Sequence, residues 1–525
     1  MSAALNSVLP ELLDYRREIS MIVMSECEKL DACSQELSDL KEHEACTRLD
    51  ALLIQRARDA VEYAKRNLDE LRRLAIHENE DVAFNELMKY AGYAFRCSAG
   101  ARSLLLRHTP TMVGLPHALD PVQNHRVNPG GHIIDYARNA YFQYQDSVGG
   151  SPKKIIDHPV LEKTATSVAN TLYGEHWQGK SILFSSAMGA IDSLIDYIAL
   201  VSRAAGKTNV IGGRCWFEIQ QYADEHYPSE FLRIDEQDVE AIIKAIDNPA
   251  VLGIVIEPLG NHPDMAVVDL KRISEKLRSY NSAEQKIIVF DIVHTPELNI
   301  IDKYFSEGIP QGLCIALVIS GVKFLQAGWD ISKSGCLMLS YNEQDFCNHT
   351  PPVHEKLIEI RSISGRAPSL EEAYLADIET SHSLRSRLAR YDTNTKYFVT
   401  RLDDWLREHH LGHVSSPWLE GHPGHNYALS DYGTGGRVMF LYFNDKYVKE
   451  SELGELFKDL CKSAEENGVS LMAVPTFGLA SPHIHVVIRP GLQTSIRVST
   501  GSTNRETIDR LLKVFYRYLG KYVGN

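Results

Sequence analysis

Two textures divide the chain. In the first hundred residues, apolar positions recur at steps of three and four: Leu49, Leu53, Ala57, Val61, Ala64, Leu68 and Leu71. Charged residues fill the positions between ("RDAVEYAKRNLDELRRL"). That spacing lays one apolar stripe along a helix. Three or four amphipathic helices are expected in residues 1–110, as a cap, a dimerisation arm, or a layer shaping a site for a second substrate. Residues 111–132 hold Pro116, Pro121, Pro129, Gly130 and Gly131 and read as a linker.

From 133 to 345 the pattern changes. Short apolar runs ("SILFSSA", "TNVIGG", "VLGIVIEP", "KIIVFDIV", "CIALVIS", "GCLMLS") alternate with helical segments such as "AIDSLIDYIALVSRAA" and "LKRISEKLRSY". Continuous apolar runs between amphipathic helices indicate strands buried on both faces of a mainly parallel sheet. Residues 346–525 open with a long helical stretch, pass through "RVMFLYF", "HIHVVIRP" and "SIRVST", and close on "RETIDRLLKVFYRYL". The fold class expected is α/β: a large domain with a mainly parallel sheet flanked by helices, a smaller C-terminal α+β domain, and an N-terminal helical region.

Composition adds limits. Hydrophobic residues make up 44% and charged residues 24% of the 525, an ordinary globular balance. The net charge of −14 offers no broad basic surface, so nucleic acid is not expected as a partner, while small phosphorylated ligands need only local donors. Nine cysteines without a Cys-x-x-Cys pair suit free thiols in a reducing compartment. The opening "MSAALNSVLPELLDYRREIS" lacks a basic n-region and an apolar h-region, and no apolar run reaches the roughly 18 residues of a membrane span. A cytoplasmic protein without membrane contact is expected.

In an open α/β sheet, ligands bind at the carboxyl ends of the strands. Four such ends carry chemistry here. In "SSAMGAIDSLI" a strand turns at once into a helix, so the amides of Ala187, Met188 and Gly189 can face an anion. "VIEPLGNHP" holds Asn261 between prolines, either as a rigid hydrogen-bond donor or as part of a plain turn. "IIVFDIVHTP" places Asp291 after four apolar residues, where a carboxylate needs a partner. His294, three residues on, either contacts a cofactor or substrate, or packs. "IALVISGVKFLQAG" ends an apolar run in Ser320-x-x-Lys323. A serine nucleophile with a lysine helper would need a later Lys-Thr-Gly-type strand, and Lys333-Ser334-Gly335 follows too closely to supply it. A lysine that carries a cofactor as a Schiff base fits better. Phosphate cradle, ring-hydroxyl partner, acid for a ring nitrogen and imine lysine together describe a pyridoxal 5'-phosphate site. His483 and His485 alternate on one strand without a third ligand, so packing is expected and no metal.

The order of these parts resembles fold type I pyridoxal-phosphate enzymes. "YARNAYFQYQDSVGGSPKKIIDHPVLEKTATSVANTLYG", "SSAMGAI", "SGVKFLQAGWDISKSG", "VSSPWLEGHPGHNYALSDYGTGGRVMFLYF" and "IRVSTGSTNRETIDRLL" resemble, in order, blocks of the Cys/Met-metabolism family, the cystathionine γ-synthase and γ-lyase group. The likeness covers roughly residues 132–520. It implies that Lys323 holds the cofactor and then moves protons, that Asp291 pairs with the ring nitrogen, and that Met188, Gly189 and Ser320 bind the phosphate. It further implies that Tyr136 and Arg138 reach the neighbouring subunit's site, giving a homodimer or homotetramer with shared sites, and that Arg497 clamps the substrate carboxylate.

The departures are specific. Val322 stands where the family has a threonine, one extra residue separates Asn261 from Pro263, and Trp216 stands where the family has a ring-stacking tyrosine. An indole stacks but is no general acid near neutral pH. The resemblance implies γ-replacement on an amino acid with a Cγ leaving group, through a vinylglycine-type quinonoid intermediate, with a nucleophilic second substrate. Without the tyrosine, a leaving group that needs no proton is favoured. A sulfonium departs as a neutral thioether, which points to S-adenosylmethionine and a specialised biosynthetic role. The alternatives are a γ- or β-lyase or sulfhydrylase acting on O-acylhomoserine or cystathionine, an aminotransferase, and a non-catalytic cofactor-binding protein.

Overall fold

The computed structural model describes residues 19–35, 48–76, 90–102 except 92 and 100, 159–342 except 175–176, 281–283 and 329–332, and 352–523 except 379–380, 470, 475 and 489–491. The expected linker at 111–132 lies outside the described residues, as do Tyr136 and Arg138.

Among the described residues, seven strands build the larger sheet: β1 (Lys180–Phe184), β2 (Thr208–Gly212), β3 (Phe231–Ile234), β4 (Val251–Ile256), β5 (Lys286–Asp291), β6 (Leu313–Ser320) and β7 (Gly335–Tyr341). Their order is β1-β7-β6-β5-β4-β2-β3. All pairs are parallel except those β7 makes, so β7 alone runs against the rest. Every residue of β4, β5 and β6 is buried, as uninterrupted apolar runs require in a sheet covered on both sides. The edge strand β3 has two exposed residues and no apolar run.

Register explains why one edge of this sheet gathers polar groups. Asp291 lies opposite Val318, and Ser320 and Phe184 both lie opposite Gly335. The ends of β1, β5 and β6 and the start of β7 therefore meet at one place. The helix Ala187–Ala205 begins there, two residues after β1.

A second sheet, order β10-β11-β12-β9-β8, follows: β8 (Gly412–Ser415), β9 (Met439–Phe443), β10 (Met472–Ala473), β11 (His483–Val487) and β12 (Ser495–Ser499). Phe398, Leu402, Leu441, Ile496, Val498 and Phe515 form its core with the helices Ser381–Glu408 and Arg505–Leu519. Arg437, 1% exposed, ties the two sheets: its guanidinium donates to Glu297 at 2.7 and 2.9 Å and to Asp392 at 2.8 Å. A buried cation needs such partners.

The N-terminal helices, 19–35 and Arg48–Ile76 among them, share one core of Ile22, Leu30, Val61, Leu68 and Phe95. That core includes Ala327, Leu375 and Ile378, so the layer packs against the turn that follows Lys323. Buried Glu26 accepts from Ser98 (2.8 Å) and Arg102 (3.0 Å), and Arg102 also donates to the Tyr374 carbonyl (3.3 Å). Among the described residues no helix is long and apolar enough to cross a membrane.

Candidate active site

A pocket of about 350 Å³ opens where those strand ends meet. Ala187, Met188, Trp216, Asn261, Asp291, Ser320 and Lys323 all line it, from five separate stretches of sequence.

The helix Ala187–Ala205 is capped by Ser186, whose hydroxyl accepts from the Gly189 amide at 2.9 Å. Ser at this position satisfies one orphan donor of the first turn. Gly189 does not line the pocket, and its amide is already bonded to the cap. Ala187 and Met188 stay at the pocket wall. A side chain at Gly335 would collide with the backbone of Ser186 and Ala187, so glycine lets β7 approach this turn.

Asp291 is 5% exposed, and its Oδ1 accepts from the Val293 amide at 3.0 Å. Burial pushes its carboxyl up to about 6, against the pull of that amide and of the Lys323 charge. A carboxylate so placed gains from a cationic partner.

Lys323 lies in the turn three residues after β6 and lines the pocket. Its Nζ donates to Thr476 Oγ1 at 2.8 Å and sits 4.6 Å from the centre of the Phe477 ring. The loop 476–480 lies directly on the lysine turn, and a side chain at Gly478, which has φ 83°, would strike the Lys323 carbonyl. Gln326, Ala327 and Gly328 behind it all have positive φ. Sequence reasoning missed Thr476 and Phe477. Their only signal was a Gly- and Pro-punctuated stretch with no periodicity, "VPTFGLASP".

Arg497, at the middle of β12, is 3% exposed. It donates to Asn261 Oδ1 at 3.2 Å and to the Thr476 carbonyl at 3.1 Å, and lies 5.4 Å from the Phe477 ring centre. Asn261 is thus held by the arginine, and its backbone N–H donates to Glu257 Oε1 at 3.0 Å. Trp216 precedes the helix Phe217–His226 and donates through Nε1 to Glu218 at 2.9 Å. Among the described lining residues there is no tyrosine.

His294 is not at the pocket wall. It is 1% exposed, lies beneath Phe477 with ring centres 4.2 Å apart, and neither ring nitrogen has a hydrogen-bond partner among the described residues. Burial, then the charges of Arg497, Lys323 and Arg437, hold it well below the usual histidine range, hence neutral. His483 is also buried, with Nδ1 3.0 Å from the Ser481 carbonyl.

No family model matches the chain. A curated relative, "Bifunctional enzyme flvA" of Aspergillus flavus, is 22% identical over 377 residues. The match takes 71% of this chain, which spans 43% of that longer protein. Among solved structures, metB of Corynebacterium glutamicum is 19% identical, covering 69% of this chain and 86% of its own, with a TM-score of 0.51. Cystathionine gamma synthase of Xanthomonas oryzae pv. oryzae, in complex with aminoacrylate and cysteine, gives 16%, 70%, 86% and 0.53. CalE6, a methionine gamma lyase of Micromonospora echinospora, gives 17%, 69%, 87% and 0.50. The chain has the fold of these structures, the mixed α/β architecture of fold type I.

Proposed function

We propose that the protein is a pyridoxal 5'-phosphate enzyme that replaces the Cγ substituent of an amino acid. One observation carries this reading: Lys323 and Asp291, from the ends of adjacent strands, line one pocket with a helix N-terminus, beside an arginine from the second sheet. The residues fit the cofactor. Asp291 is a buried carboxylate in need of a cation, Lys323 an amine, and Ala187, Met188 and Ser320 offer donors for a phosphate. When bound, the cofactor supplies an aldehyde for the amine and a ring that withdraws electrons from Cα.

The chain's own residues do the rest. Asp291 would face the ring nitrogen and keep it protonated. Arg497, fixed by Asn261 and the Thr476 carbonyl, receives the α-carboxylate of the amino acid. Lys323 Nζ, steered by Thr476 Oγ1, takes the proton from Cα and then serves Cβ. Phe477 closes the wall beside that nitrogen and keeps water from it. Domain roles follow: residues 133–345 bind the cofactor, residues 346–525 supply the carboxylate clamp, and Tyr136 and Arg138 serve a neighbouring subunit's site in a homodimer or homotetramer.

Within this reading, S-adenosylmethionine is the donor. The support is the indole of Trp216 at the mouth, with no tyrosine among the described lining residues to protonate a departing thiol or oxygen. The test is incubation of purified protein with S-adenosylmethionine while following methylthioadenosine by chromatography. Release is expected. No release, together with turnover of O-acylhomoserine or cystathionine, would falsify the donor assignment and favour the lyase or sulfhydrylase reading.

A further inference from the structure

A second cleft, of about 870 Å³, adjoins the pocket at Trp216. It runs between the helix Phe217–His226 and strand β11. The inner pocket stands near the lower end of the range for ligand sites and the outer cleft near the upper end. Together they give room for two molecules.

The banks of the outer cleft differ. The strand side carries Val487, Ile488 and Leu492, and Phe217 opens the helix side. Of these, Phe217, Ile488 and Leu492 are 43%, 76% and 40% exposed, so large apolar side chains are left open in one place. The same helix carries Glu225, bonded to Gln221 at 2.7 Å, and Asp224, ion-paired with Arg233. His262 is paired with Asp264 at 2.6 Å, and burial followed by the Arg497 charge keeps His485 low and neutral. Arg497 also reaches the cleft. On the proposed function, on which this inference rests, the donor's carboxylate occupies Arg497. Among the described lining charges, the Asp224–Arg233 pair and Glu225 then remain. A second molecule enters under net negative charge.

We propose that this outer cleft binds the second substrate, and that this substrate is uncharged with an apolar body, not an amino acid or another anion. Its apolar part lies on Ile488, Leu492 and Phe217, and its reacting atom faces the inner pocket past Trp216. An anion meets Glu225 once Arg497 is filled. An ammonium has no lone pair with which to attack.

The test uses holoprotein, glycine at saturation to fill Arg497, and two probes with one branched body: isovaleramide and isovalerate. Ligand-observed NMR gives their affinities. Isovaleramide should bind about tenfold more tightly than isovalerate, a difference of about 1.4 kcal/mol. Ile488→Asp, on the exposed rim, should weaken the amide by a similar factor, and Glu225→Gln should narrow the gap between amide and carboxylate. Equal or tighter binding of isovalerate, or indifference to both substitutions, overturns the proposal. So does tight binding of methylthioadenosine that is lost in Ile488→Asp, because the cleft then belongs to the departing group. The cofactor absorbance, lost or kept in Lys323→Ala, reports on the proposed function separately.

Discussion

Asp291→Asn separates stability from function. The wild-type carboxyl is 5% exposed and is raised by burial from an ordinary 3.8 to about 6. At about 1.4 kcal/mol per pH unit, that rise costs on the order of 3 kcal/mol at neutral pH. Because the folded value lies above the unfolded one, the native state keeps a proton that the unfolded chain has lost. The contribution is present below about pH 4 and disappears as pH rises through 6. Asparagine carries no charge and keeps an oxygen for the Val293 amide. Cofactor-stripped Asp291→Asn should therefore resist urea better than stripped wild type at pH 7.5, by roughly 2–3 kcal/mol, with the difference fading toward pH 4.5. Added pyridoxal phosphate should reverse the order, since only the carboxylate gains a charged partner from it. A variant less stable than wild type at pH 7.5, or protected equally by the cofactor, would refute the reasoning.

Thr476→Val keeps the side chain's shape but removes the oxygen that holds Lys323 Nζ. Steady-state kinetics should show kcat lower by about tenfold or more with KM little changed. Gly478→Ala adds a methyl group against the Lys323 carbonyl at φ 83°, and should cost several kcal/mol in chemical denaturation and weaken the cofactor absorbance. Trp216→Tyr restores a ring that both stacks and moves a proton. Its rate on O-acylhomoserine relative to S-adenosylmethionine should rise about tenfold or more, read as product ratios by mass spectrometry.

The strand ends were legible because their neighbours are continuous apolar runs. β4, β5 and β6 announce themselves, and Asp291, Ser320 and Lys323 stand out as polar residues closing such runs. β3, with the sequence FLRI, and the two-residue β10 carry no comparable signal, because an exposed edge needs no apolar run. Thr476 and Phe477 were invisible for another reason. They sit in an irregular loop whose place over Lys323 is set by packing between the two sheets, which leaves no period in the sequence. His294 stands three residues from Asp291, but along the chain nothing separates a residue at the wall from one beneath Phe477. The N-terminal stripe foretold helices; that they pack behind Ala327 follows only from the tertiary contact.

Borohydride reduction of the protein incubated with pyridoxal phosphate, followed by digestion and peptide mass spectrometry, bears most directly on the central claim. Among the described lining residues two are lysines, Lys323 and Lys333. The phosphopyridoxyl mass should appear on the peptide containing Lys323 and vanish in Lys323→Ala. Its appearance on Lys333 instead, or on no lysine, would contradict the account.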